Sequence, residues 1–322
     1  MNIKPIIIVS GEPHGIFNEI FFKIKKKNSF KRPIILIGCK KILLHQMKKF
    51  NHNFKINLLN HKNINLFDLK RNNHVINLIN IDLGFITRSK SGNNRTKKYI
   101  QNCFDMSLKI VSKYKCAGII NGPINKKTFL NFKFPGVTEY LANKLKIKKF
   151  AMLIYNKNLS VCPITTHLPL KEVHKFISKK KIIDKVKIIH LFYKMRFKKT
   201  PKIAITGFNP HCESPSKIKE ENKFIIPAIN FLKKNRISIK GPFSTDTLFM
   251  KDQIKKFDVI IGMYHDQVLT PIKALYGFDA INITLGLPVI RISPDHGPNE
   301  KMFGKNLSSP ESLFQSIKFL DI

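Results

Sequence analysis

Residues 259–267 read Val-Ile-Ile-Gly-Met-Tyr-His-Asp-Gln, and residues 280–287 read Ala-Ile-Asn-Ile-Thr-Leu-Gly-Leu. Each segment contains an apolar run suited to a buried strand, and polar side chains of several chemical types stand within it or directly after it. In α/β proteins, catalytic groups collect at the carboxyl ends of strands in this way. The stretch therefore predicts an α/β fold with a pocket at the strand ends.

The same alternation of short apolar runs and longer amphipathic stretches continues along the chain, which favours an α/β fold with a mainly parallel sheet. We find no internal repeat and no long linker, so any two lobes are expected to be interleaved. The helical spacing is clearest near residues 17–27, 95–115, 171–195, 218–235 and 308–320. The predicted strands are Ile6–Ser10, Pro33–Gly38, Ala117–Asn121, Ala151–Tyr155, Lys202–Thr206, Val259–Gly262 and Ala280–Thr284.

The 322 residues include 58 Lys and Arg against 20 Asp and Glu, a net charge of +38. Such a charge is typical of nucleic-acid or anionic-membrane binders. It is also what an AT-rich genome produces by enriching Lys, Asn, Ile and Phe everywhere. The lysines are scattered, without a basic arm or an aromatic-glycine RNA motif, which favours the second interpretation. We expect attraction of anionic substrates and no specific nucleic-acid partner.

Five cysteines occur without a Cys-x-x-Cys pair and without a preceding signal peptide. Free thiols in a cytoplasmic protein are therefore expected. No apolar run approaches the roughly 18 residues of a membrane span, so no membrane association is expected.

Carboxylates are scarce, so those placed at turns are candidates for chemistry. Asp246 and Asp266 could orient a histidine or act as a base, and a cap or turn role is the alternative for each acid. Glu12, Glu139 and Asp295 stand in similar Gly-, Pro- or His-containing motifs.

Three histidines, His167, His211 and His265, each follow a predicted strand. Neutral imidazoles suit a divalent ion such as Zn²⁺, Co²⁺ or Mn²⁺. Their separations along the chain match no metal signature, and a lone histidine is more often a structural hydrogen-bonding residue. Lys126 and Thr138 stand at expected helix starts, where they could bind an anion or simply form a turn and an N-cap. No Gly-x-Gly-x-x-Gly follows any strand, so a Rossmann site is not supported.

Nine motifs, taken together and in this order, make the chain resemble the 4-hydroxythreonine-4-phosphate dehydrogenase family of vitamin B6 biosynthesis, over nearly its whole length. They are Gly-Glu-Pro-x-Gly-Ile at 11–16, Gly-Pro-Ile-Asn-Lys at 122–126, Gly-x-Thr-Glu at 136–139, Thr-His-x-Pro-Leu at 166–170, Asn-Pro-His at 209–211, Gly-Pro-x-x-x-Asp-Thr-Leu-Phe at 241–249, Tyr-His-Asp-Gln at 264–267, Asn-x-Thr-Leu-Gly-Leu-Pro at 282–288 and Asp-His-Gly at 295–297.

The resemblance implies a homodimer of isocitrate/isopropylmalate-dehydrogenase-like α/β/α subunits with active sites at the dimer interface. The expected lobes are residues 1–127 with 270–322, and residues 128–269. The implied reaction is NAD- or NADP-dependent oxidation of a phosphorylated secondary alcohol, followed by loss of CO₂ to give 3-amino-2-oxopropyl phosphate. NAD is expected near Leu285–Asp295. The implied residues are His167, His211 and His265 for a divalent metal (Zn, Mg or Co), Thr138, Lys273, Asn282 and Arg291 for the substrate, and Asp246, Asp266 and Lys273 for catalysis.

The chain departs from the family pattern at several positions. Val137 replaces a histidine that contacts substrate in the family, Val268 replaces a glycine, and Pro298 replaces a threonine. Residues 301–304 replace Asp-Ile-Ala-Gly, and residues 17–18 depart from a Gly-Pro pair. These changes leave open a related dehydrogenase acting on another phosphorylated hydroxy acid. They also leave open a drifted, low-activity enzyme that binds nucleic acid nonspecifically.

Overall fold

The computed structural model describes residues 4–27, 29–84, 94–131, 133–213, 219–277, 279–294, 297 and 299–322. Twelve strands and twelve α-helices are present in these residues. The chain divides into two compact units, unit 1 formed by Met1–Lys133 with Pro288–Ile322 and unit 2 formed by Phe134–Leu287. The predicted α/β class with a mainly parallel sheet is confirmed.

Unit 1 contains six parallel strands in the order β3-β4-β2-β1-β5-β12. The side chains of β1 are all Ile or Val and all fully buried, as expected for a strand covered on both faces. The strands are β1 (Ile6–Val9), β2 (Ile34–Gly38), β3 (Lys55–Leu58), β4 (Val75–Asn80), β5 (Gly118–Asn121) and β12 (Arg291–Pro294). The helices are α1 (Phe17–Lys27), α2 (Lys40–Lys49), α3 (Asn94–Lys113), α4 (Lys126–Leu130) and α12 (Glu311–Leu320).

Unit 2 contains six strands in the order β11-β6-β7-β10-β8-β9. Strand β6 runs antiparallel to both of its neighbours, and the others pair in parallel. The strands are β6 (Ala151–Tyr155), β7 (Ser160–Pro163), β8 (Ile203–Thr206), β9 (Ile239–Phe243), β10 (Val259–Gly262) and β11 (Ile281–Leu285). The helices are α5 (Val137–Lys144), α6 (Leu170–Phe176), α7 (Lys179–Phe197), α8 (Ile226–Lys234), α9 (Thr245–Leu248), α10 (Lys251–Ile254) and α11 (His265–Tyr276).

All seven predicted strands are present, within a residue or two at each end. The helix predicted over residues 171–195 is two helices, because Ser178 caps α7 by accepting a hydrogen bond from the Lys181 backbone N–H. The expected lobe limits also differ from the compact units. Residues 270–287 belong to unit 2, since α11 packs on β7 and β10 and β11 pairs with β6 along its whole length.

All five cysteines are free thiols, as expected. Burial raises the pKa of Cys162 to about 11 and that of Cys116 to about 12, so neither forms a thiolate readily at neutral pH. Among the described helices, none has both the length and the apolar character needed to cross a bilayer.

Candidate active site

Eight of the nine predicted site residues lie in unit 2, and the ninth, Arg291, lies in unit 1. The unit 2 residues follow strands β7, β8 and β10, or lie in α5, α9, α11 and β11. The fold thus places most of the predicted chemistry on one compact unit.

The structure brings His167 and His265 together. Strands β7 and β10 are parallel neighbours, so the segments that leave their carboxyl ends lie side by side. His167 follows β7, and His265 is the first residue of α11 after β10. Their ring centroids are 5.5 Å apart. Two imidazoles on one tetrahedral Zn²⁺, with Zn–N bonds of about 2.1 Å, place their centroids roughly 5 Å apart, so this pair fits a shared ion.

The carboxylate of Asp266 fixes the orientation of the His265 ring. Nδ1 of His265 and Oδ1 of Asp266 are 2.6 Å apart. When Nδ1–H donates to this carboxylate, the lone pair of Nε2 is the one available to a metal. Asp266 itself is largely exposed, at the start of α11, where a negative charge is favoured by the helix dipole.

His211 stands in a short 3₁₀ turn, Pro210–Cys212, with φ of 54°, in the left-handed region that few residues other than glycine adopt. The buried carboxylate of Glu221 holds the preceding residues by accepting the backbone N–H groups of Phe208 and Asn209, both at 2.8 Å. In the described part of the chain, no three His, Cys, Asp or Glu side chains are close enough to hold a metal together. His211 is therefore not joined to the other two histidines within the described chain.

Asp246 lies in α9, near His211. The Ser244 hydroxyl, which hydrogen bonds to this carboxylate, holds the pKa of Asp246 below its usual value, and the nearby His211 adds to this effect. The Asp246 carboxylate is fully exposed to solvent, so it stays ionised at neutral pH.

Gln267 connects three of these segments, and sequence reasoning assigned it no role. Its Oε1 accepts the backbone N–H of Met263 at 2.6 Å and the Thr206 hydroxyl at 2.9 Å. Its Nε2 donates to the Gly207 carbonyl at 2.8 Å and to the Thr245 hydroxyl at 3.0 Å. One buried amide thus ties the end of β10 before His265, the end of β8 before His211 and the start of α9 before Asp246.

Helix α5 places Thr138 beside β11. The prediction of Thr138 as an N-cap is wrong, because Gly136 occupies that position and Thr138 is the second helical residue. Its buried hydroxyl instead forms a 3.0 Å hydrogen bond with the Thr284 hydroxyl. Val137 is buried at the first helical position, so the place of the family histidine is apolar here.

Glu139 supports the segment that carries His167. Its Oε1 accepts the Thr166 hydroxyl at 2.9 Å, while its Oε2 is buried without a hydrogen-bond partner in the described residues. A Cβ placed on Gly136 would meet Glu139 Oε2 at 2.7 Å and His167 Cε1 at 3.1 Å. The glycine therefore leaves the space that lets the carboxylate and the imidazole approach one another.

Two further predicted substrate contacts lie on α11 and β11. Lys273 is exposed in the last turn of α11. Asn282 on β11 has a buried Oδ1 without a hydrogen-bond partner among the described residues. A buried carbonyl oxygen without a donor is costly, which points to a donor supplied by a ligand.

In unit 1, the turns after β1 and β5 interlock. Gly11 has φ of 77°, and a Cβ there would lie 2.5 Å from the Pro123 carbonyl oxygen. The Glu12 N–H donates to that same carbonyl at 2.9 Å. Arg291 is buried on β12, and its Nε donates to Asn121 Oδ1 at the end of β5 at 2.7 Å. This bond fixes the plane of the guanidinium at the end of the parallel strands.

The sequence departures have partial structural explanations. Val268, in place of the family glycine, is fully buried in the apolar core of unit 2. Asp295, His296 and Pro298, and with them the carboxyl end of the expected NAD segment, lie outside the described residues.

Comparison with known proteins identifies the family. The family described as "Pyridoxal phosphate biosynthetic protein PdxA" matches residues 29–320. The chain belongs to the PdxA family. A 4-hydroxythreonine-4-phosphate dehydrogenase from Sulfurihydrogenibium sp. is 39% identical over 319 residues, covering 97% of this chain and 96% of the relative.

A second relative bears on substrate choice. A protein from Oceanobacillus iheyensis, provisionally named D-threonate 4-phosphate dehydrogenase, is 30% identical over 329 residues, covering 98% of this chain and 97% of the relative. Among solved structures, 4-hydroxythreonine-4-phosphate dehydrogenase from Klebsiella pneumoniae superposes with a TM-score of 0.85 at 26% identity, covering 98% of this chain and 97% of that one. PdxA relatives thus include dehydrogenases named for two different phosphorylated substrates.

Proposed function

We propose that this PdxA-family chain catalyses the NAD- or NADP-dependent oxidation of 4-phosphooxy-L-threonine, with decarboxylation to 3-amino-2-oxopropyl phosphate. The observation that carries the proposal is the pair His167 and His265, whose rings lie 5.5 Å apart at the ends of neighbouring strands in a chain of this family. The reaction requires a dehydrogenase cofactor and a group that stabilises the developing enolate.

The donor set fits a divalent ion. His167 and His265 provide two imidazoles at a separation suited to one ion, and His211 is the proposed third ligand. When bound, the ion favours ionisation of the substrate hydroxyl and stabilises negative charge on the same oxygen after oxidation. Zn²⁺, Co²⁺ and Mg²⁺ are the candidates. In the proposed homodimer, with active sites at the subunit interface, the set is completed across that interface.

The remaining residues bind and orient the substrate. Asn282 Oδ1 is a buried acceptor to which the substrate ammonium group can donate. Arg291 and Lys273 supply positive charge for the phosphate and the carboxylate, and a guanidinium can do so with two parallel hydrogen bonds. Thr138 places its hydroxyl at the start of α5.

Asp246 and Asp266 are the proposed proton-transfer or orienting carboxylates. Asp266 is hydrogen bonded to His265 and therefore orients a proposed metal ligand. Asp246 is exposed and has a lowered pKa, so its carboxylate is ionised at neutral pH and can act as a base, although the lowered pKa makes it a weak one. Their separate roles predict that loss of Asp266 mainly weakens metal binding, while loss of Asp246 mainly lowers kcat.

The second candidate is oxidation of a phosphorylated hydroxy acid without an amino group. Val137 favours it, because the family histidine at this position is replaced by a buried apolar side chain. The relative provisionally named D-threonate 4-phosphate dehydrogenase supports this candidate.

The proposal is tested by following NADH absorbance with purified protein, NAD and a divalent ion. We expect NADH from 4-phosphooxy-L-threonine, its loss with a chelator and its return when the ion is restored. A higher kcat/KM on D-threonate 4-phosphate would replace the first candidate with the second. No NADH from either substrate with folded, metal-loaded protein would reject both.

A further inference from the structure

Unit 2 contains a cavity of about 410 Å³ whose walls are strongly basic. Of its two lining carboxylates, Asp184 accepts from Lys149 Nζ at 3.0 Å, and Glu139 accepts from Thr166 through Oε1 while its Oε2 has no hydrogen-bond partner in the described residues. The cavity is lined by five lysines and two carboxylates, so positive charges outnumber negative ones. The lining lysines are Lys148, Lys149, Lys180, Lys181 and Lys185.

Lys185 is the unusual member of this set. It is only 7% exposed, yet no hydrogen bond or ion pair of its ammonium group occurs in the described residues. Its ammonium lies over the face of the Phe150 ring, 5.8 Å from Nζ, and its charge also acts on Cys162 and Lys181. Its ammonium still has some solvent access, and a lysine this little exposed is normally paired with an anion.

The start of α7 adds to the excess of positive charge. This 19-residue helix begins Lys179-Lys180-Lys181 and has no acid in its first turn, where the helix dipole favours negative charge. Burial, followed by the nearby charge of Lys185, lowers the pKa of Lys181. The cations at this end of the cavity thus repel one another, and a bound anion would relieve the repulsion.

We propose that this cavity binds a small phosphomonoester, with its phosphate between Lys185 and the start of α7. A dianion matches the excess of charge, and a volume near 410 Å³ is larger than inorganic phosphate needs and falls within the usual range of small-ligand pockets. Phe150, Ile164, Leu168 and Phe176 supply apolar wall for the organic part. The site uses none of the residues proposed to bind substrate, and it stands independently of the proposed reaction.

The test compares Lys185→Met with Lys187→Met in the full-length protein. Lys187 is on the same helix and also contacts an aromatic ring, Phe231, but does not line the cavity. Binding of glycerol 3-phosphate and of inorganic phosphate is measured by calorimetry at about 150 mM salt, where long-range charge effects are screened. We expect wild type and Lys187→Met to bind the ester more tightly than inorganic phosphate, and Lys185→Met to bind it at least tenfold more weakly.

Thermal unfolding gives a second readout. Without ligand, Lys185→Met should unfold at a temperature no lower than that of wild type, because it removes one of several mutually repelling cations around the cavity. Saturating glycerol 3-phosphate should raise Tm for wild type and Lys187→Met only. Lys185→Gln serves as a second neutral variant if the methionine protein does not fold.

Three results would overturn the proposal. One is equal ester binding by wild type and both neutral Lys185 variants, which would show general attraction by the +38 charge. Another is inorganic phosphate binding at Lys185 with the ester excluded. The third is Lys185-dependent binding of a DNA duplex without binding of the small ester.

Discussion

Replacing Gln267 with methionine tests whether one amide holds the proposed site together. Methionine keeps the length and the apolar stem but removes all four hydrogen bonds of the amide. Two of the lost partners are backbone groups, the Met263 N–H and the Gly207 carbonyl, which cannot turn elsewhere. Each buried backbone group left unpaired costs about 1–3 kcal/mol, so the loss in unfolding free energy should be about 2–6 kcal/mol. The Thr206 and Thr245 hydroxyls can rotate and are counted as zero.

The assay is urea unfolding of the chelator-treated protein, followed by metal titration and activity of the folded variant. We expect the unfolding midpoint to fall and the metal Kd to rise, because the segments leading to His211 and His265 lose a shared anchor. Gln267→Glu keeps the acceptor oxygen and replaces the two N–H donors with one O–H donor when the carboxyl group is neutral, and with none when it is ionised. It should therefore lie between wild type and methionine in stability if the carboxyl group is neutral, and lower if it is ionised beside the Gly207 carbonyl.

The matched control is Gln315→Met on α12. This glutamine is partly exposed and makes one described hydrogen bond, to Glu311. Its replacement should change the unfolding free energy by no more than about 0.5 kcal/mol. If Gln267→Met were no more destabilising than this control, or if it lost stability while metal affinity stayed at the wild-type value, the anchoring role would be refuted.

Three further predictions concern neighbouring features. Gly136→Ala should weaken metal binding and lower kcat, because the new Cβ would press on Glu139 Oε2 at 2.7 Å and on His167 Cε1 at 3.1 Å. The loss of stability should stay near about 1 kcal/mol, because the φ of −161° suits alanine and the end of the Glu139 side chain can shift. Metal titration measures the first effect and urea unfolding the second. The pKa of Glu221 is lowered: desolvation raises it, but hydrogen bonds from Asn209 and its neighbours outweigh that. Its stabilisation is thus present above its unfolded pKa of about 4.3 and lost as pH falls through the lower folded pKa, so Glu221→Gln should flatten the acid side of a stability–pH curve measured by urea unfolding. His265→Ala should abolish metal-dependent NADH formation while leaving the far-ultraviolet circular dichroism spectrum unchanged.

The strands that could be predicted are those buried on both faces. Runs such as Ile6–Val9 and Val259–Gly262 carry no polar side chain, so composition alone identifies them. Strand β3 was not predicted, because Lys55–Leu58 is exposed at the edge of its sheet and carries polar residues. Strand β12 begins with a buried arginine and ends with a proline, a composition that local propensity does not associate with strands.

In the candidate site too, some features could be predicted from the sequence and others could not. Placement of His265 after a strand was predictable, because strand β10 was predicted, whereas β7, the strand that precedes His167, was not. Their contact depends on β7 and β10 being neighbours, a long-range pairing that no local pattern contains. The roles of Gln267 and Glu221 depend on which backbone groups each buried side chain meets, and only the folded chain determines those.

The position of Gln267 on α11 explains how His265 and the segment leading to His211 can keep fixed positions relative to one another. It is two residues after His265, so the helix that carries the imidazole also carries the amide that fastens the ends of β8 and β10. A shift of α11 would therefore move His265 and strain the segment leading to His211 at the same time. Substitutions at the start of α11 should therefore change both the metal affinity of the proposed site and the stability of unit 2. Substitutions in the exposed last turn of α11 should change one of these quantities without the other.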